Sequence, residues 1–326
     1  MTTHPYDRLN PDMIIDAVES VGYLSDARLL ALNSYENRVY QVGIEDSLPL
    51  IAKFYRPGRW SEAQILEEHS FSLELQEAEI SIVAPIVNDQ GTTLHTYEGF
   101  QFALFVRRGG YPPELDNLDN LLVLGRTLGR IHAVGRAGQF KERTSISMKA
   151  MLTDSMEYLL DGFIPSELIP AYQSLTKDLE QRVAVIYSEV TSEDLIRLHG
   201  DCHVGNILWR DDTAHFVDFD DCCSAPAIQD LWMFLNGERH DRQLQLSELI
   251  EGYSEFCDFD PRQIRWIESL RTMRLINYAA WLARRWEDPA FPRSFTWFNT
   301  ERYWADHVLE LREQMSALQE EPLQLL

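Results

Sequence analysis

The stretch Leu198-His199-Gly200-Asp201-Cys202-His203-Val204-Gly205-Asn206-Ile207-Leu208-Trp209 decides the fold, together with Phe216-Val217-Asp218-Phe219-Asp220 just after it. The polar half of the first segment lies between apolar runs, which predicts a loop leading into a strand. Asp211-Asp212-Thr213 is typical of a turn, and His215-Phe216-Val217 predicts a second strand. The resulting hairpin would bring three oxygen-bearing side chains to one end: Asp201, Asn206 and Asp218.

The spacing His-x-Asp-x-x-x-x-Asn, followed by an aspartate at a strand end, matches the catalytic loops of protein kinases. In such a loop the aspartate accepts the proton of the attacking hydroxyl and orients it towards the γ-phosphate of ATP. Mg²⁺ prefers oxygen ligands and keeps several waters, so one amide oxygen and one carboxylate suffice beside the phosphates. We therefore predict Asp201 and Asp218 as catalytic residues, and Asn206 and Asp218 as ligands of Mg²⁺.

Two other interpretations of this loop are a plain polar loop and a zinc site. Asp and Asn side chains often satisfy backbone amides in loops that have no catalytic role. A zinc site would draw on four crowded side chains, those of His199, Asp201, Cys202 and His203. Glycines at positions 200 and 205 disfavour the helix that would align the two histidines, and Cys222-Cys223 lacks the spacer of a zinc knuckle. We predict instead that His199 is a packed residue that braces the loop.

The composition is that of a soluble globular protein with room for two lobes. Of 326 residues, 45% are hydrophobic and 25% are charged, which is ordinary for such a chain. With 52 acidic against 29 basic residues, the formal charge of −23 disfavours nucleic acid and anionic membranes and favours cationic partners. The four cysteines do not indicate a disulfide framework, and no signal peptide or bilayer-spanning run is recognisable. We expect a cytoplasmic monomer.

Residues 1–108 are predicted to form a nucleotide-binding lobe built on an antiparallel sheet. A helix is expected over residues 11–21, and Leu29–Leu32 leads into the polar segment Asn33–Asn37, which is typical of a hairpin turn. Arg38–Val42 alternates like a strand, and Leu50–Tyr55 is predicted as the third strand. Three further runs are expected to complete a five-stranded antiparallel sheet: Ile82–Pro85, Thr92–His95 and Gln101–Val106. Ser61-Glu62-Ala63-Gln64 matches a capping box, so a helix is expected to begin there.

Lys53 lies in the middle of an apolar run, where an ammonium group needs a partner. It is either a charge that protects a sheet edge or the lysine that contacts the phosphates of ATP. Glu67 and Glu68 lie in the helix that follows, and we choose Glu68 as the partner of Lys53 because it is on the apolar side. Nucleotide binding is therefore assigned to five residues: Ser34, Glu36, Asn37, Lys53 and Glu68.

Residues 109–326 are predicted to form a larger, mainly helical lobe, with Gly109–Pro113 as the hinge. Helices are expected over Leu121–His132, Met151–Phe163, Pro165–Val190, Asp230–Asn236 and much of Pro261–Leu318. In the first of these, Gly125 and Gly129 predict close packing of another backbone. The last region is rich in aromatic residues, which serve core packing more often than substrate binding. The predicted fold class is α+β, a two-lobed protein-kinase-like fold.

Several motifs together resemble one family over nearly the whole chain. They are Leu32–Gln41, Lys53–Pro57, Ile65–His69, Leu198–Arg210 and Gln229–Met233. These motifs resemble the bacterial stress response kinases, within the superfamily of aminoglycoside phosphotransferases and choline kinase. The resemblance implies a serine/threonine protein kinase that uses ATP and Mg²⁺, phosphorylates proteins including itself, and acts in a stress response. It implies Asp201 as proton acceptor and Asn206 and Asp218 as Mg²⁺ ligands.

Two features depart from protein kinases at large. The turn Asn33–Asn37 has no glycine, although Ser and Asn can also shape a turn that offers N–H groups to phosphate. The stretch from Asp218 to Asp230 is too short for a long activation loop, and Asp230 is predicted to be a buried brace for the catalytic loop. The alternative function is a small-molecule kinase for an amino alcohol or aminosugar, which would use the same three catalytic-loop residues. A pseudokinase would have lost one of four residues, Lys53, Asp201, Asn206 or Asp218, and none of them is missing.

Overall fold

The computed structural model describes residues 5–326. Its N-terminal part contains seven regular elements: α1 (Pro11–Glu19), β1 (Ser25–Ala31), β2 (Arg38–Ile44), β3 (Leu50–Phe54), α2 (Glu62–Glu77), β4 (His95–Tyr97) and β5 (Phe100–Val106). The strands form one antiparallel sheet in the order β1-β2-β3-β5-β4. The predicted antiparallel five-stranded sheet is therefore confirmed, with the strand positions corrected below.

The part of the chain after residue 106 is larger and mainly helical. Its helices are α3 (Leu118–Arg136), α4 (Asp154–Leu160), α5 (Ile169–Tyr187), α6 (Ile228–Trp232), α7 (Arg239–Ser254), α8 (Ile267–Arg284), α9 (Ala290–Ser294) and α10 (Glu301–Ala317). Two small antiparallel sheets pair β6 (Leu195–Leu198) with β9 (Cys223–Pro226), and β7 (Ile207–Arg210) with β8 (Thr213–Phe216). The predicted α+β fold is confirmed. Among residues 5–326, no helix combines the length and the apolar character needed to cross a bilayer.

Lys53 lies on a central strand and not at a sheet edge. In β3 it pairs across the sheet with Val39 of β2 on one side and Ala103 of β5 on the other. The residue is only 6% exposed. A charge that protects a sheet edge must lie on an edge strand, so that alternative for Lys53 is wrong.

Helix α2 begins as its sequence predicts. The Ser61 hydroxyl accepts a hydrogen bond from the Gln64 backbone N–H (3.2 Å), and the Gln64 side chain accepts one from the Ser61 N–H (3.0 Å). This capping box is confirmed. Further along the helix, Glu67 accepts three backbone N–H groups of residues 141–143, whereas Glu68 is buried on the side facing β3.

The run Ile82–Pro85 is not a strand of the sheet, so that prediction is wrong. It makes isolated bridges, parallel between Ile82 and Phe216 of β8, and antiparallel between Pro85 and Phe105 of β5. Pro85 has no N–H to donate, which limits regular pairing at this point. The segment therefore joins the catalytic hairpin to the sheet. The run Thr92–His95 is also displaced, because the observed strand β4 begins at its last residue.

Helices α3 and α7 pack with their backbones close together. A Cβ on Gly125 or Gly129 of α3 would overlap the backbone of α7, and a Cβ on Gly252 of α7 would overlap that of α3. The predicted role of the two glycines in α3 is confirmed. Helix α7 itself was missed, because it is rich in polar residues and even its buried face contains Gln245. Helix α3 also continues four residues beyond its predicted end at His132.

Replacing Gly125 by alanine should destabilise the fold. The added methyl group has no room beside the Leu249 carbonyl, so the free energy of unfolding should fall by about 1–3 kcal/mol. Gly162→Ala is the matched control, because nothing lies within 4 Å of a Cβ built there. Denaturant unfolding of both variants measures the difference. Equal stability of the two variants would contradict this account of the α3–α7 contact.

Candidate active site

The catalytic loop is held by a buried aspartate from α6. Asp230 accepts the backbone N–H groups of His199 (2.8 Å) and Gly200 (2.9 Å), and it contacts His132 Nε2 at 3.1 Å. Its side chain is fully buried. Since a carboxylate that accepts several N–H groups orients them tightly, the predicted brace is confirmed.

His199 is also a structural residue. Its Nε2 lies 2.9 Å from the Val217 carbonyl oxygen, and its Nδ1 accepts the Asp201 N–H at 3.3 Å. The ring lies against Phe219, with 4.6 Å between centroids. Both ring nitrogens are engaged, so the zinc alternative loses its first ligand, and the prediction that His199 braces the loop is confirmed.

Asp201 lies at the surface of the loop with its side chain 26% exposed. Its Oδ1 is 2.7 Å from Arg274 Nη1 of α8, and its Oδ2 is 3.5 Å from His203 Nε2. Burial opposes ionisation of this carboxyl, but the His203 hydrogen bond and the Arg274 guanidinium outweigh burial and hold the pKa of Asp201 below its usual range. Asp201 is therefore a carboxylate at neutral pH, able to accept a hydrogen bond from a hydroxyl.

Asn206 connects the loop to the end of the hairpin. Its side-chain Nδ2 donates to the Asp201 carbonyl (3.0 Å), and its own carbonyl accepts the Val217 N–H (3.0 Å). Because the amide nitrogen is turned into the loop, the amide oxygen is the end of this side chain that can serve a ligand.

Asp218 follows β8 and lies directly against Lys53. It has left-handed backbone angles (φ 60°, ψ 66°), a conformation that aspartate tolerates better than most residues, and the chain turns there into a short helical segment. Lys53 Nζ lies 2.9 Å from Asp218 Oδ1, 3.1 Å from Asp220 Oδ1 and 3.6 Å from Glu68 Oε1. Asp218 is 51% exposed, whereas Asp220 and Glu68 are buried.

Neighbouring charges and burial have opposite effects on the pKa values of Lys53 and Glu68. Burial disfavours the ammonium, but Asp218, Asp220 and Glu68 raise the pKa of Lys53 well above its usual value. Burial also raises the pKa of Glu68 to about 7, against the attraction of Lys53. The structure thus places Glu68, and not Glu67, beside Lys53.

Arg59 completes this cluster and was not singled out in the sequence. It binds Asp220 in a close ion pair, and its Nη2 lies 2.5 Å from Asp221 Oδ1. Burial opposes ionisation of Asp220, but Lys53 and Arg59 keep the pKa of that carboxyl below its usual range. Arg59 follows the Pro57-Gly58 break after β3, where no periodic pattern marks a functional side chain.

The turn Ser34–Asn37 is shaped by its own side chains. Ser34 Oγ donates to the Asn37 carbonyl (3.0 Å), and Asn37 Oδ1 accepts the Arg56 N–H (3.1 Å). Glu36 faces a basic group, with Arg56 Nε at 3.7 Å, Arg59 Nε at 3.8 Å and a closer ion pair to Arg285 of the C-terminal part. Of the three turn residues predicted to bind the nucleotide, Ser34 and Asn37 hold the backbone of the turn, and Glu36 pairs with arginine side chains.

The C-terminal aromatic residues divide into two groups. Trp266 is buried in the core, which is the use that the sequence favours. Trp281 of α8 instead donates its indole N–H to Glu36 (2.7 Å), and Phe295 packs on Tyr35 with 4.7 Å between ring centroids. This second group holds the turn of the N-terminal sheet against the helical part.

The donors at the hairpin end fit a magnesium ion that is shared with phosphates. Asn206 offers an amide oxygen and Asp218 a half-exposed carboxylate, and both are hard oxygen ligands. Mg²⁺ commonly binds through one or two carboxylates together with substrate phosphates and water. Both Asp218 and Asp220 contact Lys53, but Asp220 is the less suitable ligand because it is buried and is also held by Arg59.

Comparison with known proteins gives the family. The sequence profile of the phosphotransferase enzyme family matches residues 28–267. The chain is 46% identical to stress response kinase A of Escherichia coli O157:H7 over 321 residues, covering 98% of this chain and 97% of that protein. The chain belongs to the stress response kinase A family, within the phosphotransferase enzymes. Salmonella typhimurium has a relative named serine/threonine protein kinase RdoA, 45% identical over the same shares of the two chains.

Solved structures of other phosphotransferases show the same fold at lower sequence identity. Amicoumacin kinase hAmiN, solved with AMP-PNP, Ca²⁺ and Ami, matches with a TM-score of 0.75 and 19% identity over 98% of this chain and 96% of that one. A microcompartment-associated aminopropanol kinase matches with a TM-score of 0.70 and 17% identity over 95% and 98%. The kinase-like fold is thus shared between the stress response kinase family and kinases whose names specify small molecules.

The raised pKa of Glu68 predicts a pH dependence of stability. Between its ordinary pKa near 4.5 and the folded value of about 7, the folded state holds a proton that the unfolded state has released. The contribution of Glu68 to the free energy of unfolding is therefore full below about pH 4.5 and is lost as pH rises through 7. The difference in this free energy between wild type and Glu68→Gln should fall from pH 5 to pH 8.

Denaturant unfolding at several pH values measures that difference. Glu62→Gln, an exposed change in the first turn of the same helix, is the control and should show no such trend. If the difference in the free energy of unfolding between wild type and Glu68→Gln is constant or rises with pH, the raised pKa assigned to Glu68 is wrong.

Proposed function

We propose that this protein is an ATP- and Mg²⁺-dependent serine/threonine protein kinase that transfers the γ-phosphate of ATP to protein hydroxyl groups, its own included. The observation that carries the proposal is the 2.9 Å contact between Lys53 of the sheet and Asp218 of the catalytic hairpin. It joins a phosphate-binding cation to a metal-binding carboxylate beside Asp201 and Asn206. That is the set of groups which phosphoryl transfer needs.

In the proposed reaction Asp201 positions the acceptor hydroxyl and accepts its proton. The carboxylate is ionised because Arg274 and His203 stabilise its charge, and the Asp230 brace keeps the loop backbone in place. Lys53 is proposed to turn from Asp218 towards the phosphates of ATP. Asn206 and Asp218 would hold Mg²⁺, which supplies charge neutralisation at the phosphate oxygens when it is bound.

The remaining assignments follow from this site. Glu68 is proposed to keep Lys53 in position, and the turn containing Ser34, Glu36 and Asn37 to close over the nucleotide. We propose that residues 1–108 and 109–326 act as the two lobes on either side of it, in a monomeric cytoplasmic protein without nucleic-acid or membrane partners that serves a stress response.

Protein acceptors are proposed because of the closer relatives. Two of them, at 45–46% identity over 98% of this chain, are named stress response kinase A and serine/threonine protein kinase RdoA. The kinases named for small molecules share only 17–19% of residues with this chain, a level that carries the fold alone.

Asp218→Asn should nearly abolish Mg²⁺-dependent phosphoryl transfer. The substitution keeps the shape of the side chain but removes the charge from the proposed metal ligand. Asp220→Asn is the informative comparison, because Asp220 is buried among Lys53 and Arg59 and should act mainly on stability. Transfer rates as a function of Mg²⁺, together with thermal unfolding, separate the two. A fully active Asp218→Asn beside a folded but inactive Asp220→Asn would mean that Asp220 is the metal ligand.

The acceptor class is tested by direct competition. Purified protein is incubated with labelled ATP, a mixture of carrier proteins and a panel of amino alcohols and aminosugars. Label should appear on serine or threonine of protein and on the kinase itself. Asp201→Asn should lower this labelling by about 10²–10⁴-fold, the usual range for loss of a positioned acid–base group. Label on an amino alcohol or aminosugar, with none on protein, would establish the small-molecule alternative instead.

A further inference from the structure

Helix α8 places a basic side chain directly against the carboxylate of Asp201. Arg274 Nη1 lies 2.7 Å from Asp201 Oδ1, and the Arg274 side chain remains 33% exposed. Near its C-terminal end the same helix donates a hydrogen bond from Trp281 to Glu36, so it contacts both the catalytic loop and the turn of the sheet. An acceptor that approaches Asp201 therefore meets Arg274 as well.

The ion pair between Arg274 and Asp201 changes the electrostatic environment of an acceptor bound beside Asp201. A lone catalytic carboxylate attracts ammonium groups and repels carboxylates at short range. With a guanidinium at 2.7 Å, the two charges nearly cancel at the distance of a neighbouring substrate group. The low pKa of Asp201 is consistent with this pairing, because the guanidinium stabilises the ionised form.

The basic character continues one turn earlier along α8. Arg271 Nε lies 3.3 Å from Glu268 Oε2, and Arg242 Nη1 of α7 lies 3.6 Å from the other oxygen of the same carboxylate. Two guanidinium groups thus share one carboxylate. Arg271 Nη2 is buried and has no hydrogen-bond partner among the described residues. Because Glu268 is shared with Arg242, the guanidinium of Arg271 is only partly neutralised by that carboxylate.

Contacts link Arg271 to the catalytic loop. Its guanidinium carbon lies 5.2 Å from the centre of the Trp232 ring, and the Trp232 indole donates to Gln229 (3.2 Å). Gln229 in turn donates to the Gly200 carbonyl (3.1 Å), directly before Asp201. Arg271 is therefore connected to the acceptor site through packed and hydrogen-bonded side chains.

We propose that Arg274 and Arg271 form an acceptor subsite that selects a hydroxyl flanked by an anionic side chain and disfavours cationic acceptors. The inference rests on the proposed phosphoryl transfer at Asp201, and it adds the charge class of the acceptor. Arg274 is a specificity-determining residue in this scheme, and Arg271 extends the same field along the acceptor segment.

The subsite acts against the overall charge of the chain. The net charge of −23 steers cationic partners at long range, but salt screens that attraction beyond about 8 Å at physiological ionic strength. Within the docked complex the nearest groups decide, and beside Asp201 the acceptor meets the partly exposed guanidinium of Arg274. The sequence-based preference for cationic partners is thus replaced at this site by a preference for anionic ones.

The test uses three peptides of equal length with one serine, flanked by Glu, Gln or Lys, and a pair of small alcohols, one neutral and one bearing an amine. In the wild type, kcat/KM should be at least about tenfold higher for the Glu-flanked than for the Lys-flanked peptide, the effect of one partly screened charge contact. Arg274→Gln should bring this ratio to one or below, because the Asp201 carboxylate loses its guanidinium partner, without changing KM for ATP. Arg274→Lys should retain much of it.

Arg302→Gln is the charge-matched control, because Arg302 is exposed on α10 and its loss should leave the peptide ratio unchanged. An equal loss on all peptides in Arg274→Gln, or a wild-type preference for Lys-flanked peptides, would overturn the inference. Transfer to small alcohols alone would refute the protein-kinase proposal. It would still test the inference, because kcat/KM should then be higher for the neutral alcohol than for the alcohol that bears an amine. No transfer to any acceptor would refute both.

Discussion

The buried ammonium of Lys53 is the interaction on which the meeting of the sheet, α2 and the catalytic hairpin depends. It lies on the central strand β3 and meets carboxylates from two other elements, Glu68 of α2 and Asp218 and Asp220 after β8. An ammonium group in this place without partners would be costly. The sheet, α2 and the catalytic hairpin must therefore come together at one point, which is the site proposed here for the phosphates of ATP.

Three carboxylates surround the single ammonium group of Lys53, so the cluster needs further cations for charge balance. Arginine side chains provide them. Arg59 pairs with Asp220 and Asp221, and Arg143 donates to the backbone carbonyls of Asp220 and Cys222. Removing one member of such a buried group leaves its partners unpaired, so the cluster is expected to act as a unit. A chain with a large acidic excess thus concentrates several of its few basic residues at one site.

The catalytic loop is supported separately. Asp230 holds its backbone from α6, and His199 packs beneath it, so the position of Asp201 does not rest on Lys53. Both braces were predictable, because a buried aspartate and a histidine between apolar runs have few other uses. The hairpin and the capping box of α2 were predictable because each depends on neighbours a few residues away, and the glycine pair of α3 was recognisable from its own spacing, although the backbone that it meets belongs to α7. Helix α7 was not, because its burial depends on α3 and not on its own pattern.

The sequence by itself determined the local elements and the chemical groups of the catalytic hairpin, because spacing and turn chemistry act over short stretches of chain. Only the tertiary structure decided which charges meet. Arg59 and Asp220 are 161 residues apart, and no spacing rule links Arg274 to Asp201 or Arg285 to Glu36. The physical reason is that an ion pair between distant segments forms only where packed helices and strands bring them together, and that packing is a property of the whole chain.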